Sequence, residues 1–291
     1  MMKIIPRASL LLLALSTALT LGACPKDPYD PQTWIDKLDD PNEMEEAITQ
    51  LERLRCPKAI KALGKVWKKH NRWSKVLRVM IALADQPDMN PSSPKWKNFK
   101  SDCGNPGEGP FWDDAVPFLI EAVEDFDVTD DREIQDAAVA AEALGKAKSD
   151  DAIQVLIAAA TKKEKLYQGQ MVRIAAVKAL GAYGNNPRTV DTIIKVLETP
   201  AATKTIRLNA SAANALAMTG SEKAIVPLLK ALFEIPPIYQ QVRTALTTIG
   251  QPAADALVQV FAGKHKEMNE LATKHKFATN CKEGEGPETT C

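Results

Sequence analysis

The stretch "VRIAAVKALGAYG", residues 172–184, decides how this chain folds. Ala176 and Leu180 stand four residues apart, so they share one face of a helix, and the alanine keeps that face narrow. Gly181 and Gly184 then interrupt the helix. The same nine-residue pattern returns as "EMEEAITQL" ending at Leu51, "KVLRVMIAL" at Leu83, "DAAVAAEAL" at Leu144, "LNASAANAL" at Leu216 and "IYQQVRTAL" at Leu246. In every copy the residue four before the leucine is small or β-branched: Ala47, Val79, Ala140, Ala176, Ala212 and Val242. The copies recur every 30–36 residues except for one step of 61, which becomes ordinary if residues 86–110 are an insertion.

After most copies comes a Gly or polar break, at Gly145, Gly181, Gly220 and Gly250, and then a second apolar segment such as "AIQVLIAA", "TVDTIIKVL", "AIVPLLKAL" or "ADALVQVF". Pro57, Pro187 and Pro252 fall near the starts of these segments, where a missing N–H costs nothing. Each unit is therefore two antiparallel helices that cannot bury their apolar faces alone. Stacking them in a line solves that problem. The fold expected is all-α, an alpha-alpha superhelix of six to seven helix pairs over residues 31–264. The window at 172–184 closely resembles the inner-helix signature of HEAT repeats of the phycobilisome-lyase-like type; "DAAVAAEALGKA" and "LNASAANALAMTG" resemble it less closely. The resemblance implies a HEAT-type solenoid. Tetratricopeptide repeats fit less well, because their Trp-Leu-Gly-Tyr pattern is missing.

Ahead of the repeats, Lys3 and Arg7 precede a mostly apolar run from Ala8 to Leu21. This is the layout of a secretory signal over residues 1–23, and the run is shorter than the roughly 20 residues of a spanning helix. Leu21, Gly22, Ala23 and Cys24 resemble the lipobox of bacterial lipoproteins at each position. That resemblance implies cleavage before Cys24, lipid on its sulfur and new amino group, and a tether over residues 24–30. It also implies a place in the bacterial cell envelope, and Pro25 and Lys26, in place of the Asp that retains many lipoproteins in the inner membrane, point to the outer membrane. An ordinary export signal that happens to contain a cysteine is the alternative.

Cys56, Cys103, Cys281 and Cys291 make an even set in a chain expected to leave the cytoplasm, which allows two disulfides in three connectivities. Cys281 and Cys291 flank "CKEGEGPETTC" and could close a small loop, which would pair Cys56 with Cys103. A zinc site competes for the same cysteines, but no CxxC pair or neighbouring histidine supplies its geometry, so no metal is expected.

Lys and Arg total 37, as do Asp and Glu, so overall charge selects no polyanionic partner, and nucleic acid is not expected. Distribution says more. Ten cations and no acid lie between Arg53 and Ala84; ten acids opposed only by Arg132 lie between Asp113 and Asp136. Either a basic repeat stacks between acidic ones and the charges offset, or Lys58, Lys61, Lys65, Lys68, Lys69 and Arg72 face anionic head groups, with Trp67 and Trp73 at the interface. His70, His265 and His275 have no helical spacing, and no P-loop, GxSxG or His-Glu dipeptide occurs. Neither catalysis nor a cofactor is expected. Arg173, Asn209 and Tyr239, each seven residues before a repeat leucine, are expected to form a polar ladder for a protein or peptide partner on a monomeric scaffold. An enzyme or accessory resembling bilin lyases or metal hydroxylases, and a structural envelope spacer, are the alternatives. Residues 265–291 read as a capping helix, with Met268 and Leu271 on one side, followed by a Gly/Glu-rich tail.

Overall fold

A computed structural model describes residues 27–86, 111–162, 169–200 and 206–274. Cys24, Cys103, Cys281, Cys291, His275, the leader and nearly all of the expected insertion lie outside them. The described residues form fourteen α-helices and no strand. A short first helix, α1 (Pro31–Lys37), is capped by Asp30, whose carboxylate accepts from the amide of Gln32 at 3.0 Å. Six pairs share the repeat pattern. The pattern helices are α2 (Met44–Leu54), α4 (Ser74–Ala84), α6 (Asp131–Ala147), α8 (Gly169–Gly181), α10 (Ile206–Thr219) and α12 (Tyr239–Ile249). Their partners are α3 (Ile60–Lys69), α5 (Trp112–Glu124), α7 (Asp150–Thr161), α9 (Pro187–Leu197), α11 (Ile225–Glu234) and α13 (Gln251–Phe261), and α14 (Lys266–Lys274) follows.

The reason for the pattern is burial. Leu51, Leu83, Leu144, Leu180, Leu216 and Leu246 are all buried, as are the six small residues four before them. One continuous core runs through the stack from Trp34 to Met268. Sequence capping sets the ends: Asp130 accepts from Arg132 and Glu133 amides at the start of α6, and Asn186 accepts from the Arg188 amide at the start of α9. Pro57, Pro187 and Pro252 each sit in a first helical turn, as the sequence predicts.

From α6 onward the even-numbered helices approach one another more closely than the odd-numbered ones do. Glycine and alanine make this possible. A Cβ on Gly145 would lie 2.7 Å from Cα of Ala179, and one on Gly181 would lie 3.0 Å from Cα of Ala215. Each glycine directly follows a repeat leucine, and each alanine precedes the next one. A stack drawn tighter along one side curves toward it, so the even row lines the inner, concave face.

Outside the core, ion pairs lace the odd row across the long connection between α4 and α5. Lys61 pairs with Asp114 at 2.9 Å, Lys68 with Glu121, and Arg72 with Asp125. The constant offset of 53 residues shows α3 and α5 running parallel and in register. The ring of Phe118 fills the space that Gly64 leaves on α3. The stack thus passes directly from α3 to α5.

Candidate interaction surface

The ladder expected at seven residues before each repeat leucine does not form a groove surface. Arg173 is 8% exposed and Asn209 is fully buried, while Tyr239 is 49% exposed. The reason lies at the turns between paired helices. Arg173 Nε donates to the carbonyl of Ala160 at 3.3 Å, at the end of α7. Asn209 Nδ2 donates to the carbonyls of Leu197 (2.8 Å), Thr199 (3.0 Å) and Val196 (3.4 Å), at the end of α9. In both repeats a bond reaches thirteen residues back in the chain, to Ala160 and to Val196, so consecutive repeats use the same device. Both side chains satisfy carbonyls that a helix end leaves without partners.

One residue further along each helix, the chain does face the groove. Ala138, Ile174 and Ala210, six before the leucines, are partly exposed. With Met171 (48% exposed) they form an apolar strip crossing α6, α8 and α10, while Met218 (59% exposed) lies at the far end of α10. Glu142, Lys178 and Asn214, two before the leucines, are exposed and give the strip a polar edge. A shallow cavity of about 170 Å³ opens on it, lined by Ala138, Glu142, Gln170, Met171, Ile174, Ala175, Lys178 and Arg207. Glu142 and Lys178 pair along that edge at 3.3 Å. On α12 the matching positions are Gln240 and Thr244, both exposed and polar, so the apolar strip ends there.

In the basic run, the ion pairs fit the first of the two alternatives. Lys61, Lys68 and Arg72 pair with α5 as described, and Lys69 pairs with Asp39 at 3.5 Å. Only Lys58 and Lys65 of the six stand exposed without a charged partner among the described residues. Trp67 is buried in the core, at 1% exposure, and Trp73 is partly buried against it. Four of the six cations are thus matched by acids of neighbouring elements. Among the described residues no helix is long and apolar enough to cross a membrane.

Of the cysteines, Cys56 alone lies within the described residues; it is fully buried and disulfide-bonded, and its partner is outside them. No group of His, Cys, Asp or Glu with metal-binding geometry occurs among the described residues. Two polar groups stand apart from water. Asp136, 5% exposed, accepts from the Ser74 hydroxyl at 2.5 Å, and burial raises its carboxyl above the usual range against the pull of Ser74, Arg78 and Arg132. The hydroxyl of Tyr183 lies 3.2 Å from the carbonyl of Leu144 and 3.0 Å from that of Ser149, and burial beside Asp150 pushes it up to about 12. Both are placed at helix junctions away from the groove, where they act on stability.

The family model described as PBS lyase HEAT-like repeat matches residues 172–199 and 208–234. Those segments, α8–α9 and α10–α11, are HEAT-like repeats, and the whole described chain is an all-α HEAT-type superhelix. No curated protein matches the chain.

Proposed function

We propose that this protein is a non-catalytic scaffold that holds a protein or peptide partner on its inner face, tethered to the bacterial cell envelope through a lipidated Cys24. The observation that carries the reading is the partly exposed strip of Ala138, Met171, Ile174 and Ala210, which runs onto the repeats that match the family model. Small side chains bring a bound segment close to the inner helices, and the unbranched Met171 adapts to its shape. The edge of Glu142, Lys178 and Asn214 offers such a segment hydrogen bonds and charge beside the apolar contact. A protein-binding role suits a curved solenoid, whose inner surface is long and continuous. The LGAC sequence supports the anchor, and Pro25 and Lys26 after it support the outer membrane as its place. Pairing of Cys56 with Cys103 and of Cys281 with Cys291 belongs to the same proposal, in keeping with an oxidising compartment.

A photo-crosslinking residue at Ile174 tests this in the native cell, with the same residue at exposed Lys195 on α9 as control. Capture of one defined partner from position 174, abolished by Ala210→Glu and absent from position 195, supports the groove. Equal capture from both positions ends it. The description of the family model favours one other reading, an accessory to bilin attachment, for which the purified protein would carry a chromophore visible by absorbance.

A further inference from the structure

The last outer helix ends the stack with an uncovered apolar face. Residues 189–197 of α9, 224–232 of α11 and 253–261 of α13 align, and the first position of each is buried: Thr189, Ala224 and Ala253. The outward positions behave differently. Val190 and Ile225 are buried where Ala254 is exposed; Leu229 is buried at 1% where Val258 is 62% exposed; Leu197 is buried at 1% where Phe261 is 82% exposed. Ala254, Val258 and Phe261 follow helical spacing and form one stripe.

Polar contacts also stitch the outer helices earlier in the stack. Gln154 on α7 accepts from Arg188 at the start of α9 at 2.5 Å, and Asp191, in the same register on α9, pairs with Lys223 ahead of α11 at 2.5 Å. That register is Val226 on α11 and Asp255 on α13, and among the described residues Asp255 meets only the Gln251 amide, at 2.7 Å. What covers α13 must therefore bring apolar bulk and a cation together. Residues 275–291 carry less of that bulk, since Phe277 is their one large apolar side chain.

We infer that a second copy of this chain covers it, α13 against α13 in antiparallel, two-fold fashion. That arrangement lays Val258 of each copy on Phe261 of the other. It also brings Asp255 toward the turn after the partner helix, where Lys264 is exposed and has no charged partner among the described residues. A two-fold pairing of one patch with itself closes, so it yields dimers and not fibres. It points away from the inner strip, which each copy keeps open. The monomer expected from sequence does not contain this contact.

Sedimentation velocity of the full-length chain in a mild non-ionic detergent tests it, over a concentration series with thermal melts alongside. A single helix contact is small for a specific interface, so the expected result is a dimer forming at micromolar concentration. Phe261→Glu should give a monomer at every concentration with an unchanged melting midpoint. Asp255→Lys should weaken association at least tenfold, and adding Lys264→Asp should restore it. A wild-type chain that stays monomeric, or a Phe261→Glu chain that stays dimeric, overturns the inference; failure of the charge swap to restore association overturns the antiparallel pairing.

Discussion

Asn209 spends one amide nitrogen on three carbonyls at the end of α9, so Asn209→Leu keeps the bulk and strips the Leu197 and Thr199 carbonyls of that donor, while the Val196 carbonyl keeps the Thr199 amide at 3.2 Å. The expected loss is about 1–3 kcal/mol in urea unfolding, the usual cost of leaving buried polar groups unmet. Asp136 behaves in the opposite sense. Its folded-state pKa is raised by burial, so its contribution is fully present below the unfolded value and is lost as pH rises through the folded one. Asp136→Asn keeps an acceptor for Ser74 and removes the buried charge. It should raise the melting midpoint at pH 7, and the difference should close as the buffer is taken toward pH 3. Tyr183, raised to about 12, gives stability present below about pH 10 and lost as pH rises toward 12. Tyr183→Phe should cost about 1 kcal/mol at neutral pH and flatten that alkaline decline.

Between elements, two kinds of seam hold the repeats. On the inner row Gly145 and Gly181 touch the backbone of the next helix, so Gly145→Val should destabilise by about 1–3 kcal/mol through overpacking, read as a shift in denaturation midpoint at constant slope. On the outer row the seam between α3 and α5 is made of half-exposed ion pairs, each contributing about 0.2–1 kcal/mol. Replacing Lys61 and Lys68 with Gln should change stability little in high salt and measurably in low salt. That difference separates a charge-matched seam from a cationic surface kept for lipid. The sequence showed both charge blocks but not their pairing, because the offset of 53 residues spans an insertion whose length hides the register.

At the scale of the whole molecule, the period was legible because a solenoid buries its residues mainly against adjacent repeats, so local spacing carries the architecture. Ala176 and Leu180 alone set the helix face, and their counterparts repeat it five times. The inward exposed face was missed by one residue. On a helix that step is a rotation of about 100°, enough to exchange buried Arg173 and Asn209 for partly exposed Ile174 and Ala210. Polar residue type suggested a partner ladder, but the same types also satisfy helix ends, and nothing in a single window separates the two uses. The bare face of α13 was hidden for another reason: Val258 and Phe261 look like any core residues until they are seen with no helix packed over them among the described residues.

The unequal spacing of the two rows has a mechanical outcome. Glycine-to-backbone contacts leave the concave side with no slack, whereas the convex side between α3 and α5 is joined by side-chain tips that salt can loosen. Pulled at its two ends, such an arc resists opening, because straightening must lengthen the locked inner row, while a loosened outer seam lets the convex side spread and the arc curl tighter.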